Sequence, residues 1–252
     1  MKRVVAVSYL NTRPFTDGMA RTLDASEYVL ETMPPSSCAR AFLSGASDVA
    51  LVPVAVLNDP RFDGEIQNRF CIGAAGKVDS VYVFSDVPIQ EIETLTLDED
   101  SRTSNKLAQI LAAHHWKIKP DILPPGTPFP RPRFGVVSIG DKAVPLKDKF
   151  AYAYDLASEW ADFTARICGE RLPFVFAVWV HRNVDGAWLE RWHAALSDGV
   201  RHAADSARKW AAFYGMTPEK AEYYLTRSID YRYDIKKSVA LNLFLNLCRV
   251  KV

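Results

Sequence analysis

A short apolar run, "VVAV" at residues 4–7, gives way at once to a string of hydrogen-bonding side chains, "SYLNTR", before Pro14. The run reads as a buried strand. The next segment sets Phe15, Met19 and Leu23 at a spacing of four, which predicts a helix over residues 14–24. Pro14 suits its first turn, where a missing N–H is no loss. The alternation then repeats. "YVLETM" (28–33) predicts a strand, "PPSSCARAFLSG" (34–45) a short helix closed by Gly45, and "SDVALVPVAVL" (47–57) a third strand. A strand–helix–strand–helix–strand order predicts a parallel sheet with helices on its faces.

The pattern continues with a strand at "VDSVYVFS" (78–85) and a strand, loop and helix over residues 93–116. Leu107, Ile110 and Leu111 give that helix its apolar stripe, and Asp98, Asp100 and Ser101 are candidate caps. "FGVVSIGD" and "FAYAYDL" predict strands, and "SEWADFTARI" a helix. The most apolar stretch, "LPFVFAVWVHR" (172–182), is far shorter than the roughly 20 residues a membrane span needs and suits a buried strand. From residue 186 onward the periodicity is mostly helical. This order predicts an α/β protein of two lobes, each a mostly parallel sheet flanked by helices, with a ligand cleft between them. The expected boundaries are residues 1–85 with 179–252 for lobe 1, made discontinuous by the returning helices, and residues 86–178 for lobe 2.

Composition changes this picture little. The chain has 252 residues, 48% hydrophobic and 24% charged, with a net charge of +1, so nothing global favours nucleic acid or an anionic membrane as a partner. The basic start followed by only a short apolar run does not make a secretory signal, so a cytoplasmic protein is expected. Cys38, Cys71, Cys168 and Cys248 lie far apart in sequence, which argues for reduced thiols and against a zinc site. With no HExxH, phosphate-binding loop or GxGxxG pattern, neither a metal nor a cofactor is expected. The residues "PPGTPFPRPRF" (124–134) read as a stiff Pro-rich loop.

The candidate chemistry sits in three segments of one layout: strand, polar residues, helix start. They are "SYLNTRP", "PPSSC" and "SRTSN". Helix N-termini offer unpaired N–H groups and a positive dipole end, which suit carboxylate or phosphate, while Ser, Thr and Asn add neutral donors. In a parallel α/β lobe such loops share the edge beyond the strand carboxyl ends. Each loop alone also reads as an ordinary cap. Asp141, at the end of "SIGD", admits the same two readings, while Asp155 and Glu159, in "YDLASEW", read as capping and decorating a helix. No histidine has a Ser or Cys partner in a triad-like arrangement, and Trp188, Trp192 and Trp210 read as packing.

Taken in order, "SYLNTRPF", "GKVDSVYVFS", "LDEDSRTS", "SIGD", "YDLASEW" and "LPFVFAVWV" resemble the chorismate dehydratases of the futalosine route to menaquinone, from residue 4 to about residue 182. "IDYRYDIKKSVALNLFLNLC" resembles the family's tail more loosely. Where the family often carries acidic and Ala residues before "IGD", this chain has the Pro-rich, basic lead-in. The resemblance implies a type 2 periplasmic-binding-protein-like fold and a hydro-lyase with one small-molecule partner, chorismate, which loses water to give 3-[(1-carboxyvinyl)oxy]benzoate. It implies Asn11 and Ser80 as the leading catalytic contacts. Ser101, Thr103, Ser104, Ser36 and Ser37 would bind carboxylates, with Tyr9, Gly140 and Asp141 as further contacts. Arg13 and Arg102 remain open between carboxylate pairing and outward structural roles. None of the matching motifs supplies an obvious His or Glu base; Asp155 is the nearest candidate and also reads as a cap, so the substrate's own enolpyruvyl carboxylate is expected to take the proton. Two alternatives stand beside this reading: the related dihydroxynaphthoate synthase, and a non-catalytic protein that binds or senses a small anion.

Overall fold

The computed structural model describes residues 1–127 and 132–249. The strands are β1 (Lys2–Val7), β2 (Tyr28–Met33), β3 (Val49–Pro53), β4 (Glu65–Ala74), β5 (Val81–Ser85), β6 (Thr94–Thr96), β7 (Asp121–Leu123), β8 (Phe134–Ile139), β9 (Tyr152–Asp155), β10 (Phe174–His181) and β11 (Asp230–Arg232). The helices are α1 (Arg13–Thr22), α2 (Pro35–Leu43), α3 (Arg102–Leu111), α4 (Leu156–Cys168), α5 (Gly186–Arg201), α6 (Ala203–Trp210), α7 (Pro218–Tyr223) and α8 (Ile235–Arg249). The chain divides into two compact units: Met1–Gly73 with Val175–Asp234, and Ala74–Phe174 with the segment from Ile235.

The first unit is built on a sheet in the order β11-β4-β10-β3-β1-β2. β3 is buried along its whole length, as expected of a central strand covered on both faces. β1 runs parallel to both β2 and β3, in the way its strand–helix–strand origin predicts. β10 runs antiparallel to β3, and β11 antiparallel to β4. The second unit's sheet has the order β7-β6-β8-β5-β9, with β6 parallel to β7 and β8, and β5 antiparallel to β8 and β9. Both sheets are therefore mixed, where strand order alone predicts mostly parallel ones. A strand arriving from outside a local βαβ crossover is not bound to parallel pairing.

Sequence periodicity shows no sign of β4, β7 or β11. The first half of β4, Glu65–Arg69, is almost all polar, and β7 and β11 are three residues each, too short for a period to register. The expected strand over 47–57 ends at Pro53 and continues as a 3₁₀ turn, Val54–Asn58. The helix α8 departs from the expected grouping of residues 179–252 with lobe 1. It packs in the second unit, where Phe244 meets Phe174 edge-on at 5.1 Å and Trp160 at 6.3 Å. Of the Pro-rich loop at 124–134, residues 128–131 lie outside the described residues.

In the first unit α1 crosses α5 at two glycines. A Cβ placed on Gly18 would lie 2.2 Å from the Ala195 carbonyl oxygen, and one on Gly199 would lie 1.9 Å from that of Pro14. Only residues without a side chain allow this approach. It fixes α1, and with it the turn that leads out of β1.

Candidate functional site

In the first unit the polar string after β1 becomes a 3₁₀ turn, Leu10–Thr12, that runs directly into α1. Leu10 and Thr12 are buried, while Tyr9, Asn11 and Arg13 are half-buried. The turn is held by groups from far along the chain. The Asn11 Nδ2 donates to the Tyr224 hydroxyl at 3.1 Å, and Thr12 Oγ1 donates to Asn11 Oδ1 at 3.3 Å. Arg13 Nε donates to the Tyr214 hydroxyl at 2.7 Å, and that hydroxyl donates to the Ser8 carbonyl at 2.7 Å. The Arg13 guanidinium also lies 4.1 Å over the Trp210 ring, a cation–π contact. Trp210 Nε1 in turn donates to the buried Asp17 carboxylate, which also accepts from Ser206 and Lys209. Arg13 is thus a clamp between the β1–α1 turn and the segment from α6 to Tyr214. Ser36 and Ser37 begin α2; the Ser37 and Cys38 backbone N–H groups donate to the Pro34 carbonyl, and Ser37 Oγ accepts from Arg40 at 2.7 Å.

The second unit gathers more of the expected residues. Ser101 is the N-cap of α3: its Oγ accepts from the Ser104 backbone N–H at 3.0 Å and donates to the Ser104 hydroxyl at 2.8 Å. Ser101, Thr103 and Ser104 are all buried. Asn105 locks the preceding loop, accepting from the Asp98 N–H at 2.8 Å and donating to the Asp98 carbonyl at 2.7 Å. Lys142 then ties this loop to the turn after β8, with Nζ 3.0 Å from Asp98 and 2.9 Å from Asp100. Gly140 opens that turn at φ 63°, a value that favours glycine, and its N–H donates to the Ser80 carbonyl at 2.8 Å. The start of α3, the Gly140–Asp141 turn and Ser80 are therefore linked by named bonds. Asp98 is held above the usual carboxylate range by burial, against the pull of the Asp100 N–H and Lys142.

Asp155 proves to be a scaffold residue. Its buried carboxylate accepts from Ala157 and Ser158 as the cap of α4, and from Val78 and Asp79, which fixes the turn before β5. Asp79 has φ 62° in that turn, an uncommon value for a non-glycine residue that these bonds support. Burial pushes the Asp155 carboxyl up, opposed by the N–H groups of Asp79, Ser158 and Val78. Sequence reasoning missed Tyr214, Tyr224 and Lys142, whose partners are distant along the chain. None of the three leaves a local signal; Asn105, which closes the quoted "SRTSN" string, was missed as well although its bonds to Asp98 are local. Among the described residues no group of three or more His, Cys, Asp or Glu could hold a metal ion, and no helix is long and apolar enough to cross a membrane.

Two helix-flanked mixed sheets with polar strand-to-helix turns define the class: the chain has a periplasmic-binding-protein-like fold. It is similar to protein AF1704 from Archaeoglobus fulgidus, with a TM-score of 0.75 and 13% identity over 98% of this chain and 96% of that one. It is similar to the alkanesulfonate-binding protein SsuA from Xanthomonas axonopodis pv. citri bound to MOPS, with a TM-score of 0.62 and 13% identity over 98% and 92%. The Candida albicans CA3427 gene product, which exhibits the generic periplasmic binding protein structural fold, matches with a TM-score of 0.60 and 11% identity over 100% and 92%. At these identities the likeness concerns the fold. The family model for menaquinone biosynthesis matches residues 2–250, and the chain belongs to that family.

Proposed function

We propose that this member of the menaquinone biosynthesis family is a chorismate dehydratase. The observation that carries the reading is the Asn11 amide: it stands in the "SYLNTRPF" turn that resembles the dehydratases, held by Tyr224 and Thr12. The reaction removes the proton from the ring carbon bearing the ether and the hydroxyl from its neighbour, so that one water leaves and the ring becomes aromatic. Negative charge that develops on loss of the proton spreads through the ring double bonds to the ring carboxylate. Neutral donors around that carboxylate stabilise it as an oxyanion hole does.

In this proposal Asn11 orients the departing hydroxyl, and Ser80 holds a carboxylate or assists the same oxygen. Ser101, Thr103 and Ser104 at the start of α3, and Ser36 and Ser37 at the start of α2, bind carboxylates, with Tyr9, Gly140 and Asp141 as further contacts. The base is the substrate's own enolpyruvyl carboxylate. In favour of this, the four backbone N–H groups on Asp155 already occupy the one protein carboxylate named as a candidate. The protein then contributes orientation and electrostatics.

Incubation with chorismate, without metal or nucleotide, tests the proposal by product mass. Loss of one water with the enolpyruvyl group retained is the expected result. Chorismate recovered unchanged from folded protein would overturn it, and would leave the pathway's dihydroxynaphthoate synthase reaction or simple anion binding to be tested next.

A further inference from the structure

Within the proposed dehydratase reading, we infer that Tyr224 is a positioning residue: its hydroxyl anchors the Asn11 side chain in the orientation that meets the ligand. Asn11 sits in a three-residue 3₁₀ turn, half-buried, and a short amide there is otherwise free to change rotamer. Its Nδ2 donates to the Tyr224 hydroxyl at 3.1 Å, across 213 positions of sequence. Local turn chemistry does not produce such a bond; tertiary structure has to bring the phenol there. Tyr224 is only 7% exposed, so the anchor has little freedom of its own. It opens a π-helical turn, Tyr224–Ser228, directly after α7. π turns are rare and are frequent at functional sites.

The bonds leave a definite chemical remainder. An asparagine amide has two N–H donors and two acceptor lone pairs. Tyr224 takes one donor and Thr12 one lone pair. One N–H and one lone pair remain for a ligand, on a group whose plane is set from both ends. Tyr224 touches no reacting atom in this scheme, and its effect on turnover passes through Asn11.

The test is Tyr224→Phe, which keeps the ring and removes the oxygen. With chorismate the expected result is a kcat lower by about tenfold, the size of one lost hydrogen bond in the transition state, with KM within about twofold. In an Asn11→Ser background the same substitution should cost nothing further, since its effect passes through the amide. A role in folding alone would lower both backgrounds alike. A ligand-free reading runs alongside: the Asn11 side-chain amide signal in a ¹⁵N spectrum should shift and exchange faster in Tyr224→Phe. Unchanged kcat, or an equal loss in both backgrounds, would overturn the inference. If the unsubstituted protein leaves chorismate untouched, the dehydratase reading fails separately. The Asn11 amide signal then decides: a shift upholds the anchor, and an unmoved signal overturns it.

Discussion

Gly199 of α5 lies so close to Pro14 of α1 that a Cβ on the glycine would stand 1.9 Å from the Pro14 carbonyl oxygen. The same crossing puts Gly18 against the Gly199 backbone, at 2.7 Å from a would-be Cβ. Backbone is in the way, so no rotamer change relieves the clash. Gly199→Ala should therefore destabilise by at least the roughly 1–3 kcal/mol typical of overpacking. That corresponds to about 2–4 °C in Tm for each kcal/mol in a chain of this size. Thermal unfolding checks it. Because α1 follows the Asn11 turn directly, turnover of the surviving folded fraction should fall as well.

That crossing also shows where sequence reading stops. Phe15, Met19 and Leu23 announce α1 through their spacing, and all three are in the core. Nothing in the spacing of Gly18 or Gly199 says that one helix will lie on the other. The candidate site divides in the same way. Ser101 is legible as a cap because its bond to Ser104 is local, three residues away. The Asp155 cap is half legible: its bonds to Ala157 and Ser158 are local, while those to Val78 and Asp79 span more than 70 positions. Tyr224 and Tyr214 carry no local signal, since their partners Asn11 and Arg13 lie at the other end of the chain.

Lys142 offers a test of how the second unit's loops are held. Asp98 is buried, and its carboxyl is pushed up by that burial despite Lys142 at 3.0 Å. The folded state therefore holds the Asp98 proton more tightly than the unfolded chain does. The stability this gives is present below the ordinary carboxyl range, near pH 4 on average, and is lost as pH rises through the raised folded value. Lys142→Met removes an attraction that lowers that value, so the folded value climbs further and the loss deepens. The stability gap between variant and wild type should be small near about pH 4 and widen toward about pH 7. Denaturant midpoints across that range measure it. A gap that stays constant would show that the Lys142–Asp98 pair has no electrostatic role in stability.

The cysteines should separate sharply in reactivity. Cys38 is fully buried and burial pushes its thiol up to about 12, while burial pushes that of Cys248 up to about 11. Cys71 is also fully buried. Cys168, the last residue of α4, is exposed. The thiolate is the reactive form, so access and thiolate fraction act together. Near pH 8 a disulfide reagent should modify Cys168 quickly and the other three only slowly or after unfolding. Mass mapping of the first adduct checks this, and a fast adduct on Cys38 would contradict the packing of α2 against β3.

Asn11 and Ser101 should respond to alanine in opposite ways. Asn11 is half-buried, and among the described residues its side chain bonds to Tyr224 and Thr12, both of which are themselves buried. Asn11→Ala should cost little stability, within about 1 kcal/mol for neutral hydrogen bonds of this kind. If the amide orients the departing hydroxyl, turnover of chorismate should fall by at least about a hundredfold, on the scale of a lost oxyanion-hole donor. Ser101 is a buried N-cap whose oxygen serves both the N–H and the hydroxyl of Ser104. Ser101→Ala should lower stability by about 1 kcal/mol, the usual cost of a lost cap. It should also raise KM, through a looser start to α3, more than it lowers kcat. Paired measurement of unfolding midpoints and steady-state kinetics separates the two residues. Asn11→Ala with near-normal turnover would remove the centre of the proposed site, even if Ser101→Ala behaved as expected, because a cap can weaken a helix without any ligand being involved.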